Sequence, residues 1–352
     1  MYKKELEVLE KKGRLRQRKI YDNVIDLASN DYLCLAENKN IRKKTFDKAL
    51  NLHSHGAKAS MLVNGYTQIH KDFEEYLCKL NGFEEGIVLG SGFLANLALF
   101  ELVRKKDLAL VDEEYHASGI LGSKTTQGEI RFFKHNDLED LIKKSGDYKN
   151  FNRVFVFTEG VFSMRGDKVK KEITSYAQEI GTLVIDEAHS VGICGDKLLG
   201  ITEEYNLNPL KTIKMGTLGK ALGSYGAYIL ANKEICNFLI NRAKSIIYTT
   251  ALSPVDILLA KYALEEIQKN LDFYKRKIND KISTFNTQSL IKTIEEKNIE
   301  SLLKKQKELK KRNILIGAIR PPTVKTPIFR IILRTCIKND IIKKTINFLE
   351  SE

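Results

Sequence analysis

The chain has 352 residues, a length that accommodates one large α/β domain with a smaller one beside it. With 43% hydrophobic and 29% charged residues, it has the composition of a globular protein. No apolar run approaches the roughly 18 residues that a bilayer span needs. The first residues carry no signal-peptide pattern, so a cytoplasmic location is expected. The five cysteines are widely spaced, which argues against a structural metal site.

The net charge is +13, from 58 basic and 45 acidic side chains. An excess of this size can attract nucleic acid or a membrane surface. The lysines are dispersed, however, and where they are densest, in residues 266–313, no aromatic residues alternate with them as a stacking platform requires. A solvated, lysine-rich surface explains the charge better, and neither nucleic acid nor a membrane is expected as a partner.

Residues 1–40 form an N-terminal segment, in which a basic, helix-like stretch precedes a short strand and turn in IDLASNDYLCL. Between residues 86 and 231, continuous apolar runs then alternate with segments of helical length. Runs of this kind predict strands buried on both faces, and the interposed helices predict parallel pairing in a doubly wound α/β sheet. The six predicted strands are GIVLGS (86–91), LALVDE (108–113), RVFVFTEG (153–160), TLVIDEA (182–188), TIKMGTL (212–218) and AYILA (227–231).

Small, polar and glycine residues gather where these strands end. In such sheets, ligands bind beyond the carboxyl ends of the strands. Five strand ends therefore predict one ligand site. The segments concerned are Ser91-Gly92, 112–116, 159–163, 186–189 and 217–220.

The remainder of the chain predicts a smaller C-terminal α+β domain. A helix opens at Ser253-Pro254, with proline at its first position, and lysine-rich helices lead to the strand PIFRIILRT and a last helix. The predicted division is an N-terminal segment at 1–40, a large domain at 41–249 and a small domain at 250–352.

The stretch GIVLGSGFLANLALF (86–100) reads as a strand, a G-x-G-x-x-A turn and a helix. Backbone N–H groups at the start of a helix form a phosphate site, whichever ligand owns the phosphate. A dinucleotide site also needs an acidic residue at the end of the next strand, and Asp112 has that spacing. A nicotinamide-dependent oxidoreductase thus remains an alternative at this point.

The stretch VIDEAHSVG (184–192) is similar to the second nucleotide motif of a DEAH-box helicase. A helicase also needs a G-x-x-x-x-G-K-[ST] phosphate loop before that motif. The Gly219-Lys220 pair follows the motif instead, and Ala221 stands where a magnesium-binding hydroxyl is required. The helicase interpretation is therefore excluded.

In KMGTLGKALGSYG (214–226), Lys220 lies between glycines after a buried strand, a position suited to a Schiff-base lysine. A pyridoxal phosphate site needs such a lysine, a carboxylate for the pyridine nitrogen and a phosphate turn. Asp186 and the turn at residues 91–93 supply the other two. The combination predicts pyridoxal phosphate as the cofactor.

From about residue 25 to residue 335, the chain resembles the α-oxoamine synthases, which are fold-type-I pyridoxal phosphate enzymes, and seven motifs carry the resemblance. Members of this family condense an amino acid with an acyl thioester and lose CO2. The resemblance implies the family's transferase fold, with a large, doubly wound, mostly parallel sheet domain and a smaller C-terminal α+β domain. The motifs are SNDYLCL (29–35), SGFLAN (91–96), DEEYHAS (112–118), TEGVFSMRGD (158–167), VIDEAHSVG (184–192), TLGKALGSYG (217–226) and IYTTALSP (247–254).

The resemblance also implies roles for individual residues. Lys220 would hold the cofactor covalently, and Asp186 would pair with the pyridine nitrogen. His189 would bond the phenolic oxygen, and His116 would stack on the ring. The other implied cofactor contacts are Ser91, Gly92, Phe93, Ser163 and Thr217, with Thr249 and Thr250 reaching the cofactor of a neighbouring subunit in a homodimer.

For the substrates, the resemblance implies that Arg330 holds the amino acid carboxylate and that Asn30 and Tyr32 line the entrance. SNDYL and AIRPPTV (318–324) are most similar to the family member that joins L-alanine to pimeloyl-CoA, or to pimeloyl carrier protein. Glycine with acetyl-CoA and glycine with succinyl-CoA remain alternatives. The stretch HGAKASMLVNGYTQIH (55–70) departs from the family pattern, which ends in Gly-Ser-Arg there, so the binding of the acyl chain stays open.

Overall fold

The structure, a computed structural model, describes residues 1–351 and forms two compact units. The large unit comprises residues 33–163 and 167–276, and the small unit comprises residues 1–32, 164–166 and the chain from 277 onward. The division into three parts predicted above stays a prediction.

Residues 1–351 contain eleven strands and fourteen α-helices. The strands are β1 (Ile25–Leu27), β2 (Glu85–Leu89), β3 (Leu108–Asp112), β4 (Glu129–Phe133), β5 (Val154–Glu159), β6 (Thr182–Asp186), β7 (Thr212–Thr217), β8 (Ala227–Ala231), β9 (Ile291–Glu295), β10 (Ile314–Ile319) and β11 (Ile328–Ile332). The helices are α1 (Lys3–Lys11), α2 (Lys39–Ala49), α3 (Gln68–Asn81), α4 (Gly92–Phe100), α5 (Ala117–Ser123), α6 (Leu138–Ser145), α7 (Lys171–Ile180), α8 (Ile201–Glu204), α9 (Lys233–Arg242), α10 (Lys244–Ile247), α11 (Pro254–Lys269), α12 (Leu271–Phe285), α13 (Ile299–Lys311) and α14 (Asn339–Glu350). None of these helices is long and apolar enough to cross a membrane.

The large unit contains a seven-stranded sheet in the order β2-β8-β7-β6-β5-β3-β4. Strand β8 runs antiparallel to β2 and β7, and the other neighbours are parallel. The predicted doubly wound, mostly parallel sheet and its six predicted strands are confirmed. Strand β4 was not predicted, because it lies at the edge and only Phe133 of its five residues is buried, which leaves no continuous apolar run.

Helix α4 lies over the centre of this sheet, and Ser91 is the residue from which it begins. Its sequence, GFLANLALF, is apolar apart from Asn96, so the helix can be buried on most of its surface. The Phe100 ring stacks on Phe157 of β5 with ring centroids 4.1 Å apart, and Tyr115 meets both rings edge-on. This packing fixes the start of α4 relative to the ends of the central strands.

The small unit contains a four-stranded sheet in the order β1-β10-β11-β9. Strand β1 pairs parallel with β10, so the N-terminal segment and the C-terminal part of the chain share one sheet. Strand β11 is antiparallel to both neighbours and buried along its whole length, which confirms the strand predicted in PIFRIILRT. The helix predicted to open at Ser253-Pro254 is α11, which lies in the large unit, and the Ser253 hydroxyl caps its first turn by accepting from Val255 N.

Candidate active site

Three adjacent parallel strands of the large unit end in acidic residues. Asp112 ends β3, Glu159 ends β5 and Asp186 ends β6, with Glu159 and Asp186 directly opposite each other in the register. Their exposed fractions are 0%, 1% and 4%. Buried carboxyl groups are costly unless each is paired, hydrogen-bonded or protonated, so the partners of these three define what this edge of the sheet can do.

Asp186 is held by the amide of Asn96. Asn96 Nδ2 donates to Asp186 Oδ2 at 3.0 Å and to Ser118 Oγ at 2.9 Å, while the Tyr115 hydroxyl donates to Asn96 Oδ1 at 2.7 Å. The backbone N–H of Ala188 donates to the other carboxylate oxygen of Asp186 at 2.9 Å. The carboxylate is thereby oriented at the end of β6 by neutral donors, which leaves its negative charge for a cationic ligand.

The same network continues to His116. Its Nδ1 lies 2.7 Å from Ser118 Oγ and accepts from Ser118 N at 3.3 Å, so His116 caps the start of α5. Partial burial of the imidazole lowers the pKa of His116, the Lys220 charge lowers it further, and Asp186 opposes both. A neutral ring with Nδ1 as acceptor is the form that this geometry supports.

Lys220 follows β7, and its amine meets the loop that follows β6. Lys220 Nζ lies 2.7 Å from His189 Nε2, and the His189 side chain is nearly buried. The next residue after Asp186, Glu187, anchors that loop by accepting from the backbone N–H groups of Ile201 and Thr202 at 2.6 and 2.7 Å. The predicted Lys220 and His189 are therefore brought into direct contact.

The turn before α4 presents N–H groups as the sequence predicted. Ser91 is the N-cap and its hydroxyl accepts from Leu94 N at 3.3 Å, Gly92 begins the helix, and Phe93 is 47% exposed. At the end of β7, the Thr217 hydroxyl donates to Gly226 O at 3.0 Å. The nine-residue helix α4 thus offers backbone donors to an anion at its N-terminus.

Glu159 lies beside Asp186 without a charged hydrogen-bonding partner. Its Oε2 accepts from Ser163 N at 3.2 Å, and its buried Oε1 has no hydrogen-bond partner within the described residues. Burial raises the pKa of Glu159 well above its ordinary range, the charge of Asp186 adds to this, and Lys220 opposes it. These effects favour the neutral form of Glu159, and its contact with Ser163 N holds it to the loop after β5.

In the small unit, Arg330 and Asn30 form a pair. Arg330 lies on β11, is 6% exposed, and donates from Nη1 to Asn30 Oδ1 at 2.9 Å. The Tyr32 hydroxyl approaches the same Asn30 oxygen at 3.4 Å from a fully buried side chain. The structure thus groups the three predicted substrate residues, and their substrate roles stay predictions.

Thr249 and Thr250 lie on a segment that pairs with the divergent stretch at 55–70. Thr250 forms an isolated antiparallel bridge with Ser60, and Ala251 N donates to Ala59 O at 3.0 Å. Several apolar side chains on these two segments are exposed. They are Leu62, Val63, Tyr66 and Tyr248, at 50%, 79%, 44% and 81%.

Reasoning from the sequence did not identify Asn96, Glu159 or His135 as functional residues. For Asn96 a signal was present, since it is the single polar residue in an otherwise apolar helix and such a residue needs buried partners. Glu159 lies within the motif TEGVFSMRGD, but its proximity to Asp186 depends on strand register. His135 follows the unpredicted edge strand β4, so nothing in the apolar pattern placed it near the site.

Comparison with known proteins identifies the family. The family model described as aminotransferase class I and II matches residues 22–348. The 8-amino-7-oxononanoate synthase of Helicobacter pylori is 41% identical over 97% of this chain and 94% of its own length. A putative 8-amino-7-oxononanoate synthase of Aquifex aeolicus is 35% identical over 99% of this chain and 96% of its own.

Solved structures support the same family assignment and the same fold. The 8-amino-7-oxononanoate synthase of Francisella tularensis superposes with a TM-score of 0.77 at 29% identity, covering 93% of this chain and 97% of that one. The serine palmitoyltransferase of Sphingomonas wittichii shares the fold with a TM-score of 0.83 at 24% identity, covering 93% and 86%. The chain belongs to the aminotransferase class I and II family, and its predicted membership of the α-oxoamine synthases is confirmed.

Pyridoxal phosphate is therefore the cofactor, and the residues of the large unit fit it. The fit is one of donor chemistry: a buried carboxylate held by neutral donors, an amine beside an imidazole, and a helix N-terminus. The oxidoreductase alternative is wrong. Asp112, which it needed for a ribose, is fully buried and already bonded to Glu114 N, Asn136 N and His135.

Proposed function

We propose that this chain catalyses the reaction of 8-amino-7-oxononanoate synthase. L-alanine condenses with the pimeloyl group of pimeloyl-CoA, or of a pimeloyl carrier protein, and CoA or the carrier and CO2 are released. The reaction is a step of biotin synthesis, and its proposed location is the cytoplasm. The observation that carries the proposal is the Lys220 amine, 2.7 Å from His189, at an edge of the sheet where Asp186 is buried and oriented, in a chain 41% identical to a named synthase.

Bound pyridoxal phosphate supplies an electron sink for the pair of electrons left at Cα when the amino acid loses its proton. Asp186, oriented by Asn96, would hold the pyridine nitrogen in its protonated form. Lys220 Nζ would hold the cofactor and then take the Cα proton, and His189 Nε2 would hold that amine in place. His116, whose pKa is lowered by partial burial and by Lys220, would cover the ring face.

The N-terminus of α4, with Ser91, Gly92 and Phe93, would bind the phosphate, together with Thr217. Ser163 would contact the phenolic oxygen or the substrate. In the small unit, Arg330 would hold the carboxylate of the amino acid through its planar guanidinium. Asn30 supports this role, since its contact with Arg330 Nη1 fixes the orientation of the guanidinium.

The test is CoA release by the purified protein, with L-alanine plus pimeloyl-CoA compared with glycine plus acetyl-CoA at matched concentrations. A strong preference for the first pair supports the proposal. A preference for glycine and acetyl-CoA contradicts it, although the cofactor roles would stand. A third arm with a pimeloyl carrier protein separates the two possible acyl donors.

We further propose that the enzyme is a homodimer in which Thr249 and Thr250 reach the partner's cofactor. The segment that contains them pairs with residues 59–60, and both segments expose large apolar side chains. Gly65 packs closely against residue 59 of the same segment, since an added Cβ would lie 2.3 Å from Ala59 O. A second copy of the chain is the occupant that would cover these side chains.

Complementation tests this arrangement. Lys220→Ala subunits and Thr249→Val/Thr250→Val subunits are each expected to have little activity as homodimers. Mixed dimers should regain activity, because one of their two sites combines an intact Lys220 with intact threonines from the other subunit. If mixing restored nothing while sedimentation showed mixed dimers, the threonines would not act across the interface.

A further inference from the structure

Beside the proposed cofactor residues, a histidine lies between two carboxylates. His135 Nδ1 is 3.1 Å from Asp112 Oδ1, and His135 Nε2 is 2.8 Å from Asp167 Oδ2. The Asp112 side chain is fully buried and that of His135 is 12% exposed. A neutral imidazole donates from one ring nitrogen only, and its other nitrogen would turn a lone pair towards a carboxylate. The geometry therefore calls for an imidazolium that donates from both nitrogens.

The two carboxylates belong to different loops. Asp112 ends β3 and starts the loop that carries His116, where its Oδ1 also accepts from Glu114 N at 2.9 Å. Asp167 lies in the loop after β5 that carries Ser163, and its carbonyl accepts from Phe162 N at 2.9 Å. His135 thus connects the loop of one proposed cofactor residue to the loop of another.

Asn136 makes the same connection a second time. Its backbone N–H donates to Asp112 Oδ2 at 3.0 Å, and its Nδ2 donates to Lys168 O at 2.9 Å and to Asp167 Oδ2 at 3.3 Å. The Phe162 ring meets the His135 ring edge-on, with centroids 4.3 Å apart. The Phe162 ring therefore shields one side of His135, and the neutral Asn136 forms a second link between the same two loops.

The charges around His135 agree with an imidazolium. Burial lowers the pKa of His135, but the hydrogen bonds and charges of Asp112 and Asp167 outweigh it and raise the pKa to about 10. Asn136 and Phe162, which also contact the ring or its carboxylates, carry no charge. The bridge therefore stays intact across the neutral range.

We propose that His135 is a positioning residue whose imidazolium, held between Asp112 and Asp167, fixes the separation of the loops that carry His116 and Ser163. The inference rests on the cofactor-binding roles proposed for those two residues. His135 itself touches neither substrate nor cofactor in this scheme. It sets the distance between the two loops that would bind the pyridine ring.

The first test compares His135→Gln with Arg153→Gln. Arg153 pairs with buried Asp107 at the opposite end of β3, at 2.8 Å, so its variant also removes one ion pair from the same strand. The readouts are amide hydrogen exchange of residues 112–118 and 160–169 in the purified holoenzyme, and retention of pyridoxal phosphate on dialysis. We expect His135→Gln to speed exchange in both loops roughly tenfold and to weaken cofactor retention by a similar factor.

Arg153→Gln should lower stability and leave both loops and cofactor retention unchanged. If His135→Gln behaved like this control, or loosened only one loop, the proposal would be overturned. Should His135→Gln fail to fold, Asp167→Asn serves as the second variant, because it removes one carboxylate charge and leaves His135 and Asp112 in place.

The second test observes the His135 ring directly by NMR in the holoenzyme, with the signal assigned by its loss in His135→Gln. We expect no titration of this ring between about pH 6 and 9, and a titration at clearly lower pH in Asp167→Asn. Titration of the wild-type His135 ring near the ordinary imidazole pKa of 6.5 would overturn the proposal. Neither test uses a substrate, so both can succeed even if the chain does not release CoA from pimeloyl-CoA.

Discussion

Strand β3 has a buried aspartate at each end, and the two ends differ in their partners. Asp107, just before the strand, accepts from Arg104 N at 2.8 Å and from Arg153, whose side chain is 51% exposed. Asp112, at the last position of the strand, is bonded to His135, which is 12% exposed and is itself shared with a second carboxylate. At one end a carboxylate meets a solvated partner. At the other it belongs to a buried network.

Strand β7 repeats this difference. At the amino end of β7, exposed Lys211 donates to Gln178 O at 2.9 Å, whereas beyond the carboxyl end Lys220 meets His189. Position in the sheet, more than residue type, separates groups that only hold the fold from groups that can bind a ligand, because parallel strands direct all their carboxyl ends to one edge. Pairs of variants at the two edges test this lesson.

The largest difference is expected between Lys220→Ala and Lys211→Ala. Lys220→Ala should abolish turnover because it removes both the covalent attachment and the base, while some non-covalent cofactor binding remains. Lys211→Ala should be indistinguishable from wild type, since it loses one exposed hydrogen bond. The measurements are CoA release and the visible absorbance of the bound cofactor, and normal turnover by Lys220→Ala would contradict the site.

The next difference is between Asp186→Asn and Asp107→Asn. Asp186→Asn removes the charge that faces the cofactor, so kcat should fall by ~10²-fold or more with little change in stability. Asp107→Asn should leave kcat unchanged and cost about 1–3 kcal/mol of unfolding free energy, because it weakens charged hydrogen bonds to Arg153. Equal losses of rate and stability in Asp186→Asn would reduce it to a structural role.

The pH dependence of stability extends the comparison to the His135 end of β3. The pKa of His135 is raised from 6.5 to about 10, so its stabilisation is complete below about pH 6.5 and is lost as the pH rises to about 10. The loss should be roughly 3–5 kcal/mol, at about 1.4 kcal/mol for each unit of pKa. Urea titrations at several pH values should show wild type converging on His135→Gln as the pH rises. A constant gap between the two would contradict the assignment.

The smallest effect is expected from Glu159→Gln. The pKa of Glu159 is raised, so the unfolded chain loses this proton first and wild-type stability falls as the pH rises above about 4.5. The neutral amide avoids that loss, and Glu159→Gln should be at least as stable as wild type at pH 8. Glu159→Gln should also keep the contact from Ser163 N. A marked loss of stability at pH 8 would show that the carboxylate is ionised and paired.

The sequence predicted the fold where local pattern was sufficient. Continuous apolar runs identified six strands of the large sheet, and the motif residues Lys220, Asp186 and His189 lie at its carboxyl edge. Contacts that depend on register and on an edge strand could not be predicted. The proximity of Glu159 to Asp186 and the bridge through His135 depend on which strands are neighbours, and the apolar pattern does not contain that information.

The parallel pairing of β1 with β10 has a consequence for how the chain folds. Ile25 precedes the residues of the large unit in the chain, and its partner Ile314 follows them. During synthesis, β1 therefore cannot pair with β10 until the whole large unit has been made. Removing β1 or β10 should thus disrupt the same small unit. Arg330, which lies on β11 of that sheet, would then lose its orientation and its contact with Asn30.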